Sequence, residues 1–328
     1  MIERTLFDID KVITRLNTHP EYSTNIKNQL EQGLREDALS HSLKLEGIGT
    51  QINQNGNLCK TARCNYHEAY SQLSKAKDYL VLNDLNLSTL AMLGHIIEPI
   101  TNPIANFRNT TVAFGEFYGE EPTKIPYKIK SLIDRLNLNE VHPILNSIDA
   151  HLELIKIHPY VDGNGRAARL VQDFILENNG YPAPIITEGE RELYIHMMRL
   201  TIRDRVHKRS SVLSPSESEI LLYSFISSKI LNSTLSIEKE LQKKRIYEIK
   251  LEDMQSPNIS FTISKEIKGL NRAQSREGVV VRNSKEEEGK KIRGLYVCGD
   301  ISTEEIDIIL KRHLNKGYSS YRLRSIRI

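Results

Sequence analysis

The sequence predicts a mainly α protein with one short β-hairpin and a small mixed α/β domain at its C-terminal end. Three observations carry this. Apolar residues recur three and four positions apart over most of the first 250 residues, which is the helical period. That pattern is interrupted by Thr110, Thr111, Val112 and Phe114, β-favouring residues followed by Gly115 and Gly119, which predict a hairpin. Beyond Gln255-Ser256-Pro257-Asn258, which reads as a linker, short strand-like runs take over.

In chain order, residues 16–47 read as a first helical region, and its last part, residues 36–47, is the informative one. Leu39 and Leu43 lie four apart, as do Ser42 and Glu46, so one helix presents an apolar stripe beside a polar one. Gly47 suits the left-handed residue that ends a helix. Glu46 then stands in a last turn that exposes partial negative charge, so it either takes a cation from elsewhere or stays solvated. Residues 47–60 read as a polar loop. From Asn65 a helix runs through Ala69, Leu73, Ala76 and Leu80, and a second covers Leu87 to Ile97, stopped by Pro99. After the hairpin, Pro122 and Pro126 lead to a helix from Tyr127 to Leu138, and His142-Pro143 opens the next.

Three further helices are expected, at Glu190 to Met198, Glu217 to Asn232 behind the start signal Ser214-Pro215-Ser216, and Ser236 to about Lys250. In the C-terminal part ISFTISKEI, GVVVRN, IRGLYVC and SSYRLRSI read as strands, with one helix at Glu304 to Leu314. The resulting divisions are residues 1–64, 65–213, 214–254 and 255–328.

Composition narrows the function classes. The 328 residues carry 45 Lys and Arg against 42 Asp and Glu, a net charge of +3. That balance is uneven, because residues 241–328 hold 19 basic and 12 acidic side chains. The basic end is therefore a candidate contact for DNA, although a charged face is more often simply solvated. The N-terminal MIERTLFDIDKV has no apolar leader core, no later run is read as a membrane span, and three cysteines make no disulfide framework, so a cytoplasmic location is expected. Cys59, Cys64 and His67 resemble part of a metal site, but without a fourth ligand nearby they do not predict closed zinc.

The chemistry concentrates in IKIHPYVDGNGRAARL, Ile155 to Leu170. Ile144, Ile148, Leu152 and Ile155 predict a helix leading in. Ala167, Leu170, Val171, Phe174 and Ile175 predict one leading out, ended by Asn178, Asn179, Gly180 and Pro182. Gly163, Asn164 and Gly165 then lie in a tight loop at a helix N-terminus, where free N–H groups and the helix dipole attract an anion, and the Asn164 amide would add a donor. Arg166 and Arg169 are three apart, a rise of about 4.5 Å, so two guanidinium forks can serve one polyphosphate. His158, fixed by Pro159, is the candidate general base, and Asp162 a hard oxygen ligand suited to Mg²⁺. No GxxxxGK[ST] loop and no kinase catalytic loop is present, which argues against a P-loop ATPase or an ordinary protein kinase.

HPYVDGNGRAAR resembles the Fic-domain signature HP[FY]x[DE]GNGRxxR, with Tyr160 where the family more often has Phe. The wider resemblance runs from about Asn65 to Leu200, including His151 and FRNTTVAFG, and leaves out the C-terminal domain. It implies a Fic-type helical core over residues 65–213 and transfer of AMP from ATP to a Ser, Thr or Tyr hydroxyl of a target protein. Under it His158 is the base, Asp162 the Mg²⁺ ligand, Gly163 to Gly165 the phosphate nest, Arg166 the β-phosphate contact and Arg169 the γ-phosphate contact. Asn109, Thr110, Thr111 and Val112 would form a flap that takes the target as an added strand. Ser42, Glu46 and Gly47 resemble the family's inhibitory motif [ST]xxxE[GN], which implies that Glu46 pairs with Arg169 and obstructs the γ-phosphate.

Three alternatives stand beside AMP transfer. They are a core that only binds nucleotide, as a sensing or DNA-associated regulator, a core that removes AMP, and one that phosphorylates or moves another phosphate-linked group. Auto-modification and a homo-oligomer are both compatible with the sequence; the target's identity is not written in it.

Overall fold

The structure, a computed structural model, describes residues 2–18, 24–48, 66–138, 140–208, 210–243, 245–252, 258–273, 280–283, 293–299, 302–314, 316 and 320–326. Cys59 and Cys64, and the polar loop from residue 49 onward, lie outside them. The chain forms two compact units, one of residues 1–15 and 31–235, the other of 16–30 and 236–328.

The first unit is helical. Its elements are α1 (Ile2–Thr18), α2 (Thr24–Leu45), α3 (Tyr66–Leu82), α4 (Leu87–Ile97), the strands β1 (Ala113–Phe114) and β2 (Phe117–Tyr118), α5 (Ile125–Asn137), α6 (Pro143–Ile157), α7 (Asn164–Asn178), α8 (Arg191–His207) and α9 (Glu217–Lys243), with the end of α1, the start of α2 and the end of α9 falling in the second unit. Helices α6 and α7 are the shared middle. Ala150, Leu154, Ile157, Ala167, Leu170 and Val171 pack with Leu39, Leu43, Leu73 and Leu93 on one side. Ile144, Ile148, Leu152 and Leu176 pack with Ile9, Met198, Leu222 and Ile226 on the other. Burying a leucine or isoleucine this fully contributes about 1.5–3 kcal/mol. The loop between α6 and α7 is therefore held at both ends by core.

The second unit is a sheet with two helices. Strands β3 (Arg245–Glu252), β4 (Val280–Asn283), β5 (Arg293–Gly299) and β6 (Ser320–Ile326) alternate with α10 (Ile259–Ala273) and α11 (Thr303–His313). The sheet order is β4-β5-β3-β6 and every pairing is antiparallel. This β-α-β-β-α-β succession is the split β-α-β arrangement of ferredoxin-like domains. Tyr247, Ile249 and Leu251, two apart, turn one face of β3 into a core with Ile263, Ile267, Ile306, Ile309 and Leu310.

Several expected elements are corrected. The N-terminal helical region begins at Ile2, not Leu16, because Leu6 and Ile9 supply a buried stripe of their own. Helix α9 does not break near Asn232. Ser233 donates to Ala183 O at 2.8 Å and Thr234 to Ile230 O at 2.8 Å, so these hydroxyls are satisfied without leaving the helix. It is also long and apolar enough, by length and composition, to cross a membrane, contrary to the expectation of no such run; here it buries Leu222, Tyr223, Ile226 and Ile230. Residues 245–250 are strand rather than helix, paired on both sides. ISFTISKEI is helix rather than strand, because Ile259, Ile263 and Ile267, four apart, form one buried stripe. The hairpin is shorter than expected: pairing covers Ala113 with Tyr118 and Phe114 with Phe117, and Thr110 to Val112 are irregular.

Candidate active site

The site is the turn that joins α6 to α7. His158 caps α6 with φ 54° and ψ 60°, and is the only non-glycine residue with positive φ among the described residues. A left-handed histidine costs about 1–2 kcal/mol, so the surroundings must impose it. Gly163, with φ 85°, caps the start of α7. The helix's backbone bonding begins with Ala167 N–H to Gly163 O at 2.9 Å, which leaves the N–H groups of Asn164, Gly165 and Arg166 at the open positive end.

Two asparagines brace the turn. Asn164 accepts from Tyr160 N–H at 2.9 Å and donates to Tyr160 O at 2.9 Å. Its side chain is buried and bonded at both ends to Tyr160, so, against the expectation that its amide reaches a phosphate, Asn164 shapes the loop. Asn102 donates to Asp162 O at 3.0 Å and accepts from Val161 N–H at 3.0 Å. The Tyr160 hydroxyl donates to Leu90 O at 2.5 Å, which answers the polar group that replaces a Phe edge. Its ring lies so close to Gly94 that a Cβ there would come within 2.2 Å of it.

The imidazole of His158 stacks on Phe114, with centroids 4.2 Å apart and planes parallel. Its Nδ1 lies 3.2 Å from Ile155 O. A carbonyl only accepts, so Nδ1 carries the proton and Nε2 is left as an unprotonated base. Burial pushes its pKa down to about 4, with the Arg108 charge adding and the Ile155 hydrogen bond opposing. The ring is therefore neutral at physiological pH.

The cationic side of the site is divided. Arg166 is buried, donates from Nη2 to Glu98 Oε2 at 3.0 Å, and keeps Asp162 Oδ1 at 3.7 Å. Its Nε and Nη1 are buried without a hydrogen-bond partner, an unmet demand for an acceptor. Asp162 accepts from Gly163 N–H at 2.6 Å, yet its side chain is 44 % exposed, so the carboxylate retains capacity for a cation. No cluster of three or more His, Cys, Asp or Glu side chains that could hold a metal occurs among the described residues.

Arg169 faces α2. Its Nε donates to Ser42 Oγ at 2.8 Å, and its Nη2 to Ser42 O at 3.0 Å and Glu46 Oε1 at 2.6 Å. Burial works against the Glu46 charge, but Arg169, with Arg166 and Arg191 behind it, outweighs burial and holds the carboxyl below its usual range. The same carboxylate covers the open end of α7, because a Cβ on Gly165 would meet Glu46 Oε1 at 2.3 Å. Gly47 follows with φ 75°, and Arg191 Nε donates to Leu45 O at 2.8 Å, which fixes the helix end. Sequence reasoning assigned no role to Glu98, Asn102 or Arg108. Each reaches the site from a distant segment, and no local spacing marks it.

The flap is held from below. Arg108 Nη1 donates to Thr110 O at 2.5 Å and Gly119 N–H donates to Val112 O at 3.0 Å. Two carbonyls of the segment 109–112 are thus already taken. Thr111 O is not among the carbonyls so held, and Ala113, opposite Tyr118, lies at the edge of the hairpin. Between the hairpin and α8 lies an apolar cavity of about 230 Å³ lined by Phe114, Phe117, Ile155, Ile195, Met198 and Ile202, among others.

A neutral imidazole on one rim, a helix N-terminus flanked by two arginines on the other, and an apolar slot beside them define a helical protein whose central turn has the make-up of an anion site. Residues 84–176 match the model of the Fic/DOC family, so the chain carries a Fic domain over that stretch. Over 127 residues, 38 % of this chain, it is 34 % identical to "Protein adenylyltransferase Fic" of Drosophila mojavensis. The chain spans a quarter of the length of that relative, 25 %. Among solved structures it is similar to a Fic domain containing signaling protein from Bacteroides thetaiotaomicron, with a TM-score of 0.58 and 18 % identity, covering 70 % of this chain and 96 % of that one. It is also similar to Fic-1 residues 134–508 from C. elegans, with a TM-score of 0.57 and 17 % identity, covering 74 % and 73 %. These two likenesses establish the fold.

Proposed function

We propose that the protein is an adenylyltransferase that moves AMP from ATP to a Ser, Thr or Tyr hydroxyl of a protein, and that Glu46 inhibits it. The observation that carries this reading is the seating of one carboxylate, Glu46, on Arg169 and over the open end of α7, in the place a phosphate would claim. The relatives' names agree with it.

The chemistry follows from the groups present. ATP would lie with its base in the apolar slot beside Phe114 and Phe117 and its phosphates on the α7 N-terminus, with Arg166 and Arg169 as counter-charges. The buried, unpartnered N–H groups of Arg166 fit such an anion. Asp162 is the residue that would hold Mg²⁺, whose contribution is to neutralise charge on the phosphates. His158 Nε2 takes the proton from the acceptor hydroxyl as its oxygen attacks the α-phosphorus. The bond from that phosphorus to the bridging oxygen of the β-phosphate breaks, and pyrophosphate leaves. A target segment would pair with the flap through Thr111 and Ala113, at its edge.

The test uses ATP labelled at the α- or the γ-phosphate and the full chain carrying Glu46→Gly. Protein label from the α-position, lost in Glu46→Gly/His158→Ala with ATP still bound, is the expected result. Label from the γ-position alone would make the protein a phosphotransferase. Bound nucleotide with no protein label, together with retention of labelled DNA, would make it a nucleotide-sensing regulator.

A further inference from the structure

Arg108 is 5 % exposed, and no ion pair to it is found among the described residues. Its guanidinium is spent on backbone carbonyls. Nε donates to His158 O at 2.6 Å, Nη1 to Thr110 O at 2.5 Å, and Nη2 to Glu120 O at 2.6 Å and Ile157 O at 3.4 Å. Its own backbone N–H donates to Pro159 O at 2.9 Å, and Glu120 N–H to Ile157 O at 3.0 Å. The carbonyls of residues 157, 158 and 159, the left-handed turn that presents the imidazole, are therefore all held by the two ends of the flap.

The packing is equally tight. A Cβ on Gly119 would stand 2.5 Å from Arg108 Nη2 and 2.9 Å from His158 Cβ, so the flap backbone rests against the histidine itself. From above, Phe114 closes on the ring face. A planar fork reaching three chain segments has no equivalent in the single ammonium of lysine.

We propose that Arg108 is a positioning residue for the transfer step: it locks the flap and the His158 turn into one rigid piece, so that a hydroxyl presented along the flap edge meets Nε2 in register. The proposal rests on His158 being the base. It asks nothing of Arg108 in nucleotide binding, because its donors face carbonyls rather than the phosphate end of α7.

The experiment places Arg108→Gln, Arg108→Lys, Gly119→Ala and His158→Ala in the full chain with Glu46→Gly. It measures the ATP dissociation constant by calorimetry and the single-turnover rate of self-labelling from α-labelled ATP. The Arg108 and Gly119 variants are expected to lose about 100-fold in rate, as a misplacement near 1 Å does. Their ATP affinity should stay within about twofold. Gly119→Ala tests the same register without removing a charge. Rates within about twofold of the parent in the folded variants would overturn the proposal. So would a loss of ATP affinity in step with the rate, which marks general damage. If Arg108→Gln does not fold, Arg108→Lys and Gly119→Ala decide by the same two measures. Full labelling by His158→Ala would instead remove the base assignment, a failure separable from that of the coupling.

Discussion

Arg169 is contested. Ser42 holds it through two contacts and Glu46 through one, at 2.6 Å, with the carboxylate 38 % exposed. A pair that open is worth about 1 kcal/mol, so the proposed inhibition would depend on α2 being delivered to the site by buried Leu39 and Leu43 as much as on charge. Releasing about 1 kcal/mol predicts that Glu46→Gly raises self-labelling about 5-fold. Arg169→Ala removes both the lock and a phosphate contact, and Glu46→Gly should then add little. Additive effects in the double mutant would show that the two residues do not act on each other. These partners were legible because each lies in a local motif with fixed spacing. Arg108 and Asn102 were not, since their value comes from carbonyls and amides about fifty or sixty positions away. Asn164 was misread for a related reason. A sequence shows that an amide is present, not that Tyr160 engages both its ends.

At the scale of elements, α8 illustrates how charge misleads. RELYIHMMRLTIRDRVH is rich in charged side chains, yet Arg205 is among the most buried side chains. It donates to Asp149, Glu153 and Glu219, each at 2.7 Å, and to the Tyr223 hydroxyl at 3.0 Å. One guanidinium thus ties α6, α8 and α9 together beneath the site. Arg205→Ala would leave the almost inaccessible Glu219 without its cation and Asp149 with Arg135 alone, and should destabilise the first unit by about 3 kcal/mol, read as a lower urea midpoint. An unchanged midpoint would show that the carboxylates are hydrated or neutralised another way. The helices that lead into and out of the turn were readable because their stripes are periodic and their ends carry Pro, Asn or Gly. The continuity of α9 past Asn232 was not, because Ser233 and Thr234 resemble a break until their hydroxyls are seen to be satisfied. ISFTISKEI failed for the opposite reason: its β-branched residues suggest a strand, but Ile259, Ile263 and Ile267 align only on a helix.

For the molecule as a whole, the sequence marked a change of period after residue 255, but the second unit takes in residues 16–30 and resumes at 236, with β3 already at Arg245–Glu252, and neither that boundary nor the pairing order of the sheet was legible. The first unit also concentrates its buried titratable groups around α6 and α7, and this sets its acid response. Burial lowers His151 to about 3, helped by the Arg169 charge, and His158 to about 4, both from 6.5. Burial raises Asp173 from 3.8 to about 7, with Glu177 adding and Lys77 and Arg169 opposing. The signs differ. A depressed histidine gives stability that is whole above 6.5 and is lost as pH falls toward the folded value, because the unfolded chain binds the extra proton. A raised carboxylic acid gives stability that is whole below 3.8 and is lost as pH rises through about 7. Between pH 5 and 6 the unfolded chain therefore gains a proton on each imidazole, while the folded chain holds one on Asp173. The net is about one proton, so stability should fall by about 1.4 kcal/mol per unit of acidification. Asp173→Asn deletes the opposing group and should steepen the slope to about 2.7 kcal/mol per unit. Urea titrations of both proteins at several pH values across this window measure the two slopes. Equal slopes would mean that Asp173 is ionised in the folded state, and that Lys77 and Arg169 outweigh its burial.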